Sequence, residues 1–154
     1  MNALNTPHPD TFHDEFPTPQ EFYDKLDKEF HFDLDPCSTD ENAKCVRHYT
    51  REQDGLKQEW TGRVWMNPPY GRQCKAWVKK AYESVQRGAE VVVCLLPART
   101  GSQWFHEYCL KGEIRFIRGR LKFNTKDNAP FDSIIVIFRK GKEITDRYVV
   151  QPLR

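Results

Sequence analysis

The residues Val91-Val92-Val93-Cys94-Leu95-Leu96 form an unbroken apolar run that stops at Pro97. A run this short, opening on β-branched residues, reads as a strand. With no polar alternation, that strand must be covered on both faces. Pro97 cannot donate to a ladder, so it ends the strand. A central strand buried on both sides calls for layers of helix above and below a sheet. The chain has 154 residues, so one domain is the expectation.

The flanking segments supply those layers. Gln73–Arg87 carries Cys74, Trp77, Val78, Ala81, Tyr82 and Val85 at helical spacing, and Gly88 stops it. Ser102–Leu110 is a second helix, with Trp104, Phe105, Tyr108 and Cys109 inward and Gly112 as its stop. Thr18-Pro19-Gln20-Glu21 has the form of a helix start. Thr18 caps, Pro19 takes the first helical position and Glu21 completes a capping box, followed by Phe22, Leu26 and Phe30 on one face. Further strands are expected at Phe32–Asp35, Arg63–Met66, Ile114–Ile117 and Ile134–Phe138. Shorter ones are expected near Val46–Tyr49 and Leu121–Phe123, with an edge strand at Tyr148–Val150. Strand–helix alternation in the middle predicts a parallel α/β sheet. It would set Asp35, Asn67 and Arg99 along one sheet edge, where such folds hold their ligands. Residues 1–15 read as a flexible arm before a compact domain over 16–154.

Composition narrows the class. No apolar run approaches the about 18 residues of a membrane helix, and the first residues lack the charged and apolar regions of a secretory signal. The expectation is a soluble cytoplasmic protein with no membrane partner. Five cysteines with no C-x-x-C pair, and five scattered histidines, argue against a disulfide framework and against a metal site. The formal net charge of +2 is too small to announce a nucleic-acid partner. The segment 111–126 is nevertheless strongly basic, through Lys111, Arg115, Arg118, Arg120, Lys122 and Lys126 against Glu113.

After the strand at 63–66 the chain reads Asn67-Pro68-Pro69-Tyr70-Gly71. An exocyclic amine on a nucleobase is a poor nucleophile, because its lone pair is delocalised into the ring. Two acceptors aimed at its two hydrogens pull that pair out of conjugation. The Asn67 side-chain oxygen can be one and the Pro68 carbonyl the other, with Pro69 fixing the carbonyl's direction in advance. Tyr70 offers an aromatic face on which an extruded base can stack. The plain alternative is a Pro-Pro turn leading into a helix.

The tetrapeptide matches the catalytic motif of amino-group methyltransferases that use S-adenosylmethionine. The chain as a whole resembles the small adenine-N6 DNA methyltransferases of phages and prophages, the Dam-like phage family. The match is carried by Thr18-Pro19 with Phe22, Leu34-Asp35-Pro36-Cys37, Glu41 through Cys45, Asp54-Gly55-Leu56 with Trp60, and Trp65 through Gly71. Trp77, Leu96 through Arg99, and Gly119 through Phe123 complete it. The resemblance implies a Rossmann-like methyltransferase fold, S-adenosylmethionine as cofactor and DNA as partner. It puts Asp35, with Pro36 and Cys37, at the methionine part of the cofactor, Phe16 and Thr18 closing over that part, and Asp54 at its adenine. One departure stands out: the turn Pro36-Cys37-Ser38-Thr39 has no glycine, where many methyltransferases have several.

Arg118, Arg120 and Lys122 alternate and would share one face of an extended segment, either tracking DNA phosphates or protecting an edge strand. Arg72 and Arg99, beside strand ends, are candidates for phosphate or base contacts. RNA or a protein glutamine amide would suit the same elbow. A non-catalytic DNA-binding protein of the same fold is the rival from another class. The sequence leaves monomer and homodimer both open.

Overall fold

The computed structural model describes residues 16–123, 130–143 and 150–153. The proposed arm, and Tyr148 and Val149 of the expected edge strand, lie outside them. Helix α1 spans Gln20–Phe30. Strand β1 (Arg63–Met66) is followed by helix α2 (Cys74–Gln86) and strand β2 (Val91–Pro97). A short helix α3 (Gln103–Glu107) leads into β3 (Glu113–Ile117), then β4 (Ser133–Arg139) and β5 (Val150–Leu153). Among the described residues no helix is long and apolar enough to cross a membrane.

The strands form one sheet in the order β1-β2-β4-β3-β5. As expected, β1-α2-β2 is a parallel crossover unit, with Trp65 beside Val93. The expectation of a parallel sheet fails beyond it. β4 runs antiparallel to both β2 and β3, and β3 is parallel to β5, so the sheet is mixed. The chain leaves β2 through α3, skips one position to lay down β3, and returns antiparallel to fill the gap. Reading successive apolar segments cannot reveal that skip.

β2 has neighbours on both sides and is buried throughout. Its alternate residues serve two cores. Val92, Cys94 and Leu96 join Val64, Met66, Trp77, Val78 and Trp104 on the α2 face. Val91, Val93 and Leu95 join Tyr23, Leu26, Phe30, Trp65, Leu121 and Phe123 on the α1 face.

Several local expectations are corrected. α1 is capped at Pro19 with no side-chain hydrogen bond, so Thr18 is not its cap. The helix buries Tyr23, Leu26 and Phe30, leaving Phe22 only half-buried. Segments 32–35 and 46–49 contribute only single bridges, Leu34 to Val64 and Asp35 to His48. Leu121–Phe123 forms no strand. α3 gives way to a 3-10 turn at Cys109–Lys111.

An ion network fastens α1 to the sheet. Arg115, 7% exposed, donates to both Glu29 oxygens at 2.6 and 2.7 Å and through Nε to Glu113 at 2.7 Å. Arg139 reaches the other Glu113 oxygen at 3.2 Å, and both guanidinium groups lie over the Phe30 ring. Partners on every side offset the desolvation of a buried charge.

Leu95 is fully buried in the α1-side core. Leu95→Ala is expected to cost about 2–5 kcal/mol, read as a lower midpoint in urea unfolding.

Candidate active site

β1 ends at Met66, and the next four residues, Asn67 to Tyr70, are all buried. Gly71 follows at φ 94, a conformation that L side chains rarely adopt. The glycine is there for the backbone bend as much as for space. α2 then starts at Cys74, so the elbow is clamped between β1, at one edge of the sheet, and the start of α2.

The Asn67 side chain is 3% exposed. Its Nδ2 donates to the Phe16 carbonyl at 3.1 Å and to Thr18 Oγ1 at 3.0 Å. Its Oδ1 accepts from the Tyr70 hydroxyl at 3.1 Å. Burial holds the Tyr70 pKa well above its ordinary value, so the ring remains a phenol and a donor. One lone-pair direction of Oδ1 is left over.

Around Tyr70 lies a cluster of rings. Phe16 stacks with it at 6.0 Å between centroids and 23° between planes. Phe131 meets it edge-on at 5.4 Å. Phe16 also meets Phe123 and Phe131 edge-on, at 5.2 and 5.3 Å.

Two clefts flank the elbow. The small one is lined by Pro17, Thr18, Asp35, Lys44, Trp65 and Asn67. The larger, of about 650 Å³, runs along Pro36, Cys37, Asp54, Leu56, Pro69 and Trp77. Pro69 thus joins the elbow to the larger cleft. Ser38 Oγ and Trp77 Nε1 are buried without a hydrogen-bond partner, and both residues line that cleft. Gly55 packs so tightly on the turn that a Cβ there would lie 2.0 Å from the Pro36 carbonyl oxygen.

A model of the DNA N-6-adenine-methyltransferase (Dam) family matches residues 5–149. The chain belongs to that family. It is 30% identical over 161 residues to a DNA N-6-adenine-methyltransferase of Escherichia phage T1, covering 88% of this chain and 66% of that protein. It is 36% identical over 89 residues to a protein of the same description from Haemophilus phage HP1 (strain HP1c1), covering 56% of this chain and 50% of that one. The chain therefore spans between half and just under two thirds of the curated relatives it matches. A predicted O-methyltransferase from Agrobacterium tumefaciens aligns over 88% of this chain and 64% of its own, at TM-score 0.40 and 18% identity. That likeness is too distant to add to the assignment.

In this Dam-family chain the residues singled out from sequence fall into three groups. Phe16, Thr18, Asp35, Asn67 and Tyr70 gather at the elbow and the small cleft. Pro36, Cys37, Asp54 and Pro69 line the larger cleft. Asp54 sits at φ 54, and its carboxylate accepts from Leu56 N at 3.2 Å, a local turn that Asp tolerates well. Arg72, Arg99, Arg118, Arg120 and Lys122 are all exposed. Arg120 lies 3.5 Å from Asp132, while Leu121 and Phe123, on either side of Lys122, are buried. The positive φ of Gly119 breaks the expected regular strand ahead of that stretch. Sequence reasoning missed Phe131, which is 61 positions beyond Tyr70 and carries no motif. It also missed the role of Gly55, which stands 19 positions from the turn it packs against.

Asp35 is 3% exposed and accepts from Lys44 N at 3.0 Å and from Cys37 N at 3.3 Å. Burial outweighs those bonds and pushes its pKa up from 3.8 to about 7. Near neutrality the folded chain therefore holds a proton that the unfolded chain releases. The resulting stabilisation is complete below about pH 4 and is lost as pH rises through about 7. Wild type measured against Asp35→Asn should lose roughly 2–4 kcal/mol between pH 4.5 and 7.5. Urea unfolding at the two pH values checks this, and a constant difference would contradict it.

Proposed function

We propose that this chain transfers a methyl group from S-adenosylmethionine to the N6 amine of an extruded adenine in DNA. The observation that carries the reading is the buried Asn67 amide, turned so that its oxygen faces Tyr70. Family membership and the names of the phage relatives point the same way.

The residues around the larger cleft fit the cofactor. The two orphaned polar atoms, Ser38 Oγ and Trp77 Nε1, await partners that a nucleoside or amino-acid group can supply. The close seat of Gly55 on Pro36 keeps side-chain bulk away from the turn, which answers the missing glycines of Pro36-Cys37-Ser38-Thr39. Pro36 and Cys37 in this cleft, with Asp35 beside them at the small one, would hold the methionine end; Asp54, Leu56 and Trp77 would hold the nucleoside end. When bound, S-adenosylmethionine supplies an electrophilic methyl group on a sulfonium.

The chain's own residues prepare the acceptor. Asn67 Oδ1 and the Pro68 carbonyl each accept from one hydrogen of the target amine, which draws its lone pair out of the ring. Tyr70 stacks on the base, and the elbow's burial keeps competing water away. The proton displaced from N6 passes to water. Arg72, Arg99, Arg118, Arg120 and Lys122 hold the DNA backbone.

Transfer of labelled methyl to unmethylated plasmid DNA, with the product nucleosides separated, tests the reaction. Label is expected in N6-methyladenine, and Asn67→Ala should lower turnover by about 10²–10³-fold or more while cofactor binding is retained. Full activity in that variant would sink the mechanism. Label found only in RNA or in protein would change the acceptor. Lys122→Ala should weaken DNA binding and reduce the slope of log affinity against log salt by about one, read by titration at several salt concentrations.

A further inference from the structure

Thr18 and Phe16 look from sequence like part of a segment that closes over the cofactor. Both also contact the elbow itself. Thr18, 6% exposed, gives no cap to α1; its hydroxyl oxygen receives the Asn67 amide instead. The Phe16 carbonyl receives the same Nδ2 group. A backbone carbonyl can only accept, so the amide atom facing Phe16 must be the nitrogen. With one hydrogen going to Phe16 and the other to Thr18, the amide's donating capacity is used up. The oxygen is thereby committed to the Tyr70 side, where it accepts one bond and keeps one lone pair open.

We propose that Thr18, together with the Phe16 carbonyl, is a positioning group for methyl transfer. The Phe16 carbonyl, which can only accept, sets the amide's orientation, and the Thr18 hydroxyl takes up the second N–H and holds the amide in place, so that an acceptor and never a donor meets the target amine. A flipped amide would set its oxygen against the Phe16 carbonyl, acceptor facing acceptor, and would present an N–H donor to the amine hydrogens. The same short segment also stacks the Phe16 ring on Tyr70, so one stretch of chain orients both halves of the elbow. This inference rests on the reading of Asn67 as an acceptor for the amine.

The test compares Thr18→Val, which removes the hydroxyl at constant shape, with Thr18→Ser, which restores it. Thr18→Val is expected to lower kcat about tenfold, the rate loss that goes with one buried hydrogen bond. KM for DNA and calorimetric affinity for S-adenosylmethionine should stay unchanged, and Thr18→Ser should regain wild-type turnover. A cofactor affinity that falls while kcat holds would assign Thr18 to the cofactor and overturn the proposal. So would equal kcat in wild type and Thr18→Val. An activity-independent reading comes from solvent exchange of the Asn67 side-chain amide protons by NMR, slow in wild type and in Thr18→Ser and faster in Thr18→Val. If wild type leaves DNA unmethylated but this pattern holds, the proposed reaction fails while the amide orientation stands. Equal exchange in all three proteins would overturn the holding role of Thr18.

Discussion

A buried amide at the end of a buried strand has to find every one of its hydrogen-bond partners within the protein. Asn67 is that group here, and the surroundings of the elbow follow from satisfying it. Its nitrogen brings in the segment before α1 through Phe16 and Thr18. Its oxygen holds Tyr70, four residues into the elbow. The two prolines contribute by giving up donors of their own. Pro68 and Pro69 are buried yet leave no backbone N–H to satisfy, so the chain can turn sharply in an apolar setting.

The sheet then divides the work between its faces. On one side α1 is fastened by the bidentate Arg115–Glu29 pair, and the same ring-rich core receives Leu121 and Phe123. That layer delivers Phe16, Thr18 and Phe123 to the Tyr70 side of the elbow. On the other side α2 carries Trp77 toward the larger cleft and stacks it with Trp60 at 5.9 Å. Trp60 in turn donates to the Gly55 carbonyl at 2.8 Å, which steadies the loop pressed against Pro36. The two clefts are thus built from different layers and meet at the elbow, with Pro69 lining the larger.

Electrostatics on the small-cleft side follow from depth. Asp35 lines the small cleft with Thr18 and Asn67, and two backbone N–H groups with the charges of Lys44 and His48 do not offset its burial. Its carboxyl consequently titrates near neutrality rather than in the ordinary acid range. A cationic ligand group arriving there would favour the charged form, so binding of such a group and deprotonation are linked.

The local signals in the sequence determined the central strand, the α2 helix and the elbow. Each rests on a near-neighbour rule: apolar continuity with Pro97 as a stop, a 3.6-residue period, and prolines that cannot donate. What lay beyond their reach were relations between distant segments. The mixed order of the sheet depends on β4 inserting between β2 and β3, which no periodicity records. Thr18 obeys a capping pattern over four residues, yet its hydroxyl is taken by an amide 49 positions away, because a buried amide has no water to turn to. Phe131 and Gly55 carry no local signature, and only packing brings the first to Tyr70 and the second to Pro36. The sequence by itself thus determined which groups could do the chemistry. Tertiary structure decided which way the Asn67 amide faces, since that orientation is set by partners the chain supplies only once it has folded.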